Sequence, residues 1–209
     1  MARKKSDDTK LREKIGTGRG INYIPWLKPH EFGSLGRVHR IYGWKINRIH
    51  YLMSDLELYY FLLIQWEDNV VDIREQFPLE LIDTIGISKE LGLKHPPLTK
   101  KSGNEIVMTT DFVITVRDNN RCRDIVRTVK TQTDLRKQRV IEKLSIEKEY
   151  FKLKGLDWGI ITEEQINKRK AQNIYMLYNN YFWTRDNKIS QNELKYLIYE
   201  FKEYVNKKH

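Results

Sequence analysis

The chain has 209 residues, 40% hydrophobic and 32% charged, with a formal net charge of +10; this describes a folded, polar protein whose partner is anionic, either nucleic acid or an anionic membrane surface. The membrane is disfavoured: the longest apolar run, Leu58 to Ile64, falls far short of the ~18 residues that span a bilayer, the charged N-terminus lacks the apolar segment of a signal peptide, and no segment joins a basic face to a broad Leu/Trp face. The one cysteine, Cys122, excludes an internal disulfide and a cysteine-based zinc site and fits a reducing cytoplasm.

Residues 1–20 carry seven basic and three acidic side chains and three glycines. They read as a mobile basic arm, either a terminus without a role or one that contacts DNA. Alternation in Arg37–Tyr42 and Arg48–Leu52 predicts two strands around Gly43-Trp44-Lys45. His30, His39 and His50 lack ligand-like spacing and read as surface or sheet histidines. Ser54 followed by Glu57, ahead of an apolar run, is a capping-box signature for a buried helix from about Asp55 to Glu67. Glu57 is then either a cap reaching back to the Ser54 N–H or a carboxylate at the first turn facing a metal site.

VVDIREQFPL (70–79) predicts a strand, and Gly86, Gly92, Pro96, Pro97 and Gly103 mark turns, with a helical turn at Ser88–Leu91. The run Thr109 to Lys130 reads as a hairpin turning at Asp118-Asn119-Asn120. Period-two alternation places Thr109, Asp111, Val113 and Thr115 on one face, and Val126, Thr128 and Lys130 on one face of the second strand. A turn near Asn120–Arg121 brings Asp111 and Lys130 nearly opposite each other. A cross-strand ion pair of this kind is commonly structural, worth roughly 0.2–1 kcal/mol.

Thr131 or Thr133 caps a long helix to about Lys154, with Val140, Leu144 and Phe151 at helical spacing and Ile141 and Tyr150 beside them. Residues 121–154 hold eleven Lys/Arg and five Asp/Glu, a net +6 of the chain's +10, concentrated beside Lys130; this is a solvated face or a phosphate-facing one. DWGIIT (157–162) predicts a further buried strand. The remainder is helical and aromatic. Tyr175, Leu177, Tyr178, Tyr181 and Phe182 are base-stacking candidates, although aromatics at helical spacing more often form core.

An acid on a helix, then Asp and Lys on a hairpin, resembles the restriction-endonuclease-like core written PD-(D/E)XK. The pattern alone is weak, and the position two before the lysine is Thr128 instead of an acid. The motifs around it are more specific. INYIPWL, LGRVHRIY, SDLEL, VVDIREQFPL, GLKHP, TTDF, TVK and EKLSIEKEYF stand in the order and spacing of the TnsA family over roughly Ile21 to Asn167. TnsA proteins are the endonuclease subunits of heteromeric cut-and-paste transposases.

The resemblance implies an α/β (α+β) restriction-endonuclease-like fold: a mixed central sheet flanked by helices over 21–167, then a short helical C-terminal region, 168–209, in place of the family's longer winged-helix-like part. It implies a Mg²⁺-dependent endonuclease (Mn²⁺ a substitute) that cuts double-stranded DNA at the 5′ ends of a transposon. The partners it implies are a DDE transposase, TnsB, and an ATPase regulator, TnsC, in a cytoplasmic, DNA-associated assembly. Carried over by motif, Glu57, Asp111 and Lys130 are catalytic, and Glu57, Asp111, the Val129 carbonyl and Thr128 are metal ligands; Thr128 stands where the family usually has Gln. Arg127, Arg136, Lys137 and Arg139 are candidates for gripping the DNA backbone. A stand-alone restriction or repair nuclease of the same fold, and a catalytically silent DNA-binding assembly subunit, are the alternatives.

Overall fold

Ser6 caps a first helix, α1 (Asp7–Arg12), its hydroxyl accepting from the Thr9 N–H at 3.3 Å. The computed structural model describes residues 5–28, 37–97, 105–119, 121–186 and 190–206. Over the described residues 5–20 the expected mobile arm is instead folded. Ile15 is buried with Trp26 and Val107. Asp7 accepts from the Val107 N–H at 3.1 Å, and the buried Lys10 ammonium donates to the Trp26 carbonyl at 2.7 Å. A lysine whose ammonium lies over the Trp26 ring, 5.2 Å from its centroid, and also finds a carbonyl can be buried despite its charge.

Strands β1 (His39–Tyr42) and β2 (Ile49–Leu52) pair antiparallel, His39 opposite Leu52. Their turn needs Gly43: a Cβ there would stand 2.6 Å from Nε2 of the buried His50. Helix α2 (Asp55–Trp66) starts at Ser54, whose hydroxyl accepts from the Glu57 N–H at 3.1 Å. Leu58, Phe61 and Leu62 are buried, as its nearly unbroken apolar sequence requires. Strand β3 (Val70–Pro78) is followed by α3 (Leu81–Glu90), a full helix where only a turn at Ser88–Leu91 is expected. Gly86 reads as a breaker in isolation, but burial of Ile87 against Leu79 and Met108 overrides that weak local preference.

Strands β4 (Thr109–Asp118) and β5 (Arg121–Val129) form the expected hairpin, and helix α4 (Gln138–Leu153) carries the chain to β6 (Asp157–Ile161). The order is β3-β4-β5-β6, antiparallel except for β5 and β6, which are parallel. This is a mixed sheet flanked by helices, of the restriction-endonuclease-like kind. One face, with Val113 and Val126, packs with Ile146, Tyr150 and Phe151 of α4 and Ile87 of α3; on the other, Phe112 meets Tyr60 of α2 edge-on at 5.6 Å. At the sheet edge, β6 is half-buried rather than buried.

Beneath the hairpin β1–β2 lies a polar cluster. Both Glu75 carboxylate oxygens accept from the Arg48 guanidinium, at 2.8 and 2.6 Å, and one also contacts His50 Nδ1 at 2.8 Å. Burial works against the Glu75 charge, but the cationic and hydrogen-bonding partners prevail and hold its pKa at about 2. Burial also holds His50 below the ordinary imidazole range, so the cation facing Glu75 near neutral pH is Arg48.

The chain divides into two units, Met1–Ala171 and Gln172–His209. Among its described residues the second is helical, with the larger part of α5 (Lys168–Asp186) and α6 (Gln191–Asn206). Tyr175 stacks on Tyr178 with ring centroids 6.3 Å apart. Tyr175 and Leu177 are exposed rather than core; the Tyr181 and Phe182 side chains, like His30, lie outside the described residues. Among the described residues no helix is long and apolar enough to cross a membrane.

Candidate active site

The β4–β5 register differs by two residues from the arrangement that sets Asp111 opposite Lys130. Asp118 pairs with Arg121 and the ladder runs to Phe112 opposite Arg127, so its next step sets Asp111 against Thr128. Lys130 lies just past the end of β5, its N–H bonded to the Ile161 carbonyl of β6 at 3.0 Å. From there its side chain reaches back. One oxygen of Asp111, Oδ2, accepts from the Lys130 ammonium at 2.8 Å and from the Val129 N–H at 2.7 Å. The ammonium also donates to the Val129 carbonyl at 2.9 Å. Asp111, Lys130 and the Val129 carbonyl are therefore one cluster, made by strand ends that separate where the ladder stops.

Glu57 enters from the first turn of α2 as a cap, with its carboxyl near enough to Asp111 to feel its charge. Its Oε2 accepts from the Met53 N–H at 2.9 Å, one residue earlier than the expected Ser54 N–H, and Oε1 accepts from the Ser54 hydroxyl at 3.2 Å. Burial, then the charge of Asp111, raises the Glu57 pKa to about 8. Lys130 is held above its ordinary range: burial opposes the charge, but the contact with Asp111 and the nearby Glu147 and Glu57 outweigh it. Two carboxyls crowded around one ammonium lack positive charge.

Thr128 is placed differently. Its hydroxyl bonds to Glu147 of α4 and lies 3.2 Å from the Thr110 hydroxyl, so it is committed to that network. Glu147 is buried, also accepts from the Trp158 indole at 3.0 Å, and has its pKa raised by burial. Sequence reasoning misses it, although a signal exists: residues 140, 144, 147 and 151 fall on one helical stripe, and a lone Glu among Val140, Leu144 and Phe151 must be buried. Gln76 is missed too. It is buried in β3 at φ +49°, where the β3–β4 ladder skips from Glu75–Phe112 to Phe77–Thr110, and its amide donates to Glu57 Oε2 at 3.3 Å.

Among the described residues no three His, Cys, Asp or Glu side chains converge as a metal-binding group. The available donors are the Glu57 and Asp111 carboxylates and the Val129 carbonyl. All are hard oxygens, the set that suits an ion keeping several waters, and the shortage of positive charge around Glu57 fits a divalent cation.

The chain matches the family model described as TnsA-like endonuclease N terminal over residues 67–163. It is 43% identical over 169 residues to the Transposon Tn7 transposition protein TnsA of Escherichia coli, an alignment that covers 81% of this chain and 60% of that protein. Residues 67–163 are thus similar to the N-terminal domain of TnsA-like endonucleases. The TnsA-like match includes Asp111, Lys130 and Glu147, and Glu57 lies on the helix leading into it.

The four backbone-gripping candidates are in four different situations. Arg127 is tied to Asp157 of β6 at 2.9 Å. Lys137 pairs with Asp134 at 2.7 Å. Arg139 pairs with Glu142 at 2.7 Å and donates to the Lys94 carbonyl at 2.6 Å. Arg136, in the short turn before α4, is exposed.

The raised Glu57 pKa has a measurable sign. The folded carboxyl keeps its proton between about 4.5 and about 8 while the unfolded one has lost it, so this group lowers stability progressively as pH rises through that window. In chelator-treated protein, Glu57→Gln should reduce that slope, because an amide does not titrate. It can still accept from the Met53 N–H, so stability at pH 7 should stay within about 1 kcal/mol of the parent or rise, while DNA cutting is lost. Urea midpoints at pH 5, 6, 7 and 8 check this; an unchanged slope, or lost stability with retained cutting, would leave Glu57 as a cap alone.

Proposed function

We propose that this protein is the Mg²⁺-dependent DNA endonuclease subunit of a heteromeric transposase, hydrolysing phosphodiester bonds at the 5′ ends of a transposon during cut-and-paste transposition. The observation that carries the reading is Asp111 Oδ2 held at once by the Lys130 ammonium and the Val129 N–H, with the Glu57 carboxyl within the field of its charge. The TnsA-like match over residues 67–163 and the identity to a transposition protein support it.

Glu57, Asp111 and the Val129 carbonyl would hold the metal, for which Mn²⁺ can substitute; Thr128, whose hydroxyl hydrogen goes to Glu147, would contribute only through an oxygen lone pair. A bound divalent ion supplies Lewis acidity, activating water and neutralising phosphate charge. Lys130, kept cationic by Asp111, is a fixed positive charge placed for the oxygens that gain charge as the bond breaks. Glu57 holds a proton near neutral pH despite the nearby Lys130 ammonium, and would have to release it from its carboxyl to become a ligand. Glu147 holds the Thr128 hydroxyl and so steadies the end of β5 that carries Lys130. The products are a 3′-hydroxyl and a 5′-phosphate. The partners are transposon-end DNA, a DDE transposase of the TnsB kind and, through the C-terminal helices, an ATPase regulator of the TnsC kind.

Incubating the protein with a plasmid bearing the transposon ends, with and without the transposase, tests the proposal. Breaks at the 5′ ends that need both the transposase and Mg²⁺ are expected. Efficient cutting by the protein alone would mean a stand-alone nuclease, and DNA binding without any cutting would mean an assembly subunit.

A further inference from the structure

A pocket of about 280 Å³ opens between the sheet and α4, with Thr128 and Lys130 on one side and Lys143 and Glu147 on the other. Lys143 stands one helical turn before Glu147, so both belong to the same face of α4. Three basic side chains of the same elements have counter-charges: Lys130 has Asp111, Arg139 has Glu142, and Lys152 has Glu149. Among the described residues Lys143 has no ion pair. Glu147 lies within reach in sequence, but its hydrogen bonds go to Thr128 and Trp158. Lys143 therefore faces the same pocket as Lys130 with no carboxylate assigned to it. Its pKa is accordingly held below the ordinary lysine range, by burial and then by the charges of Arg139 and Lys130.

Among the described residues Lys143 has no counter-charge of its own on this pocket, which leaves its ammonium open to a phosphate oxygen. A small inorganic anion would leave much of the volume unfilled. Met108, Val140 and Leu144 supply an apolar wall, which suits the carbon framework of a sugar. We propose that this pocket binds one deoxyribose-phosphate unit of the strand being cut, flanking the scissile bond, and that Lys143 pairs with its phosphate. The inference rests on the endonuclease reading above and adds a binding residue beyond the catalytic cluster. Lys148, also on α4 and without an ion pair among the described residues, does not line the pocket and serves as the control.

The test is equilibrium binding of transposon-end DNA by the full chain in Ca²⁺ across a salt series, followed by single-turnover cleavage in Mg²⁺ with the transposase present, for Lys143→Ala, Lys143→Arg and Lys148→Ala. Loss of one phosphate contact should lower the slope of log K against log salt by about 1 and weaken binding roughly 10-fold at low salt. Cleavage at saturating protein should remain within about 3-fold of the parent, and Lys143→Arg should restore both binding measures. Parent-like affinity and salt slope in Lys143→Ala would overturn the assignment. So would unchanged binding with slow cleavage at saturation, which would make Lys143 part of the chemistry, or an equal loss in Lys148→Ala, which would make the effect one of general charge. A parent protein that binds but does not cut removes the endonuclease reading; a parent that cuts while Lys143→Ala matches it removes only this inference.

Discussion

Asp111→Asn and Lys130→Ala should each lower single-turnover cleavage of transposon-end DNA by at least about 10³-fold, the scale on which removing a preorganised charged or metal-holding group acts. The asparagine keeps the shape of Asp111 and can still accept from the Val129 N–H, the 2.7 Å bond that ties β4 to the end of β5. What it removes is the charge that pairs with Lys130 and raises the Glu57 pKa. Glu57 in this variant should therefore titrate closer to the ordinary carboxyl range. Lys130→Ala removes the cation and leaves two carboxyls without it, so metal affinity should be retained or increased while the rate falls. Far-UV circular dichroism and DNA affinity should stay near the parent values for both. Cleavage within about 10-fold of the parent in either variant would remove that residue from the chemistry.

The largest effect on stability is expected at Glu75. Its fully buried carboxylate takes both arms of Arg48, contacts His50 and accepts from the Tyr51 N–H at 3.1 Å. Glu75→Ala would leave the Arg48 guanidinium buried without its counter-charge, an imbalance that costs about 3–5 kcal/mol. That is a large fraction of the roughly 5–15 kcal/mol by which domains are stable. The same pair sets an acid limit. With a folded pKa of about 2 against an ordinary 4.5, Glu75 contributes stability that is complete above about 4.5 and is lost as pH falls toward 2. Urea denaturation at pH 7 and pH 3.5 measures both effects. A loss below about 1 kcal/mol for Glu75→Ala at pH 7 would mean the cluster is not held as a charge pair. Because Gln76 follows directly and donates to Glu57, Glu75 variants that remain folded should also cut DNA more slowly.

Much of this architecture is legible in local chemistry. Ser54 and Glu57 announce the start of α2, and the period-two runs announce β3, β4 and β5. The hairpin turn at Asn119 is visible too, and a one-residue shift in the assumed turn changes only which residue faces Asp111, not the presence of the Asp111–Lys130 contact. The features that resist reading are those decided by distant packing. Lys10 is buried because Trp26 and its carbonyl, sixteen residues on, receive it, and nothing in the first twenty residues indicates that. The α3 helix forms through Gly86 because Ile87 has a core to enter. Thr128 looks like a ligand from its place in a motif, yet Glu147 claims its hydroxyl from a helix nearly twenty residues later. Gln76 is hidden for another reason: a positive φ within a strand has no signature in a glutamine.

The position of Cys122 gives the fold a convenience of its own. It is the chain's one cysteine, exposed near the tip of the β4–β5 hairpin, eight residues from Lys130 along an extended strand and therefore roughly 26 Å away. A thiol-reactive fluorophore or spin label placed there would sit on the same rigid ribbon as Asp111, but too far away to touch the chemistry. The native sequence thus carries a single reporter site from which the approach of a labelled DNA end to the cluster at the other end of the strand can be measured directly.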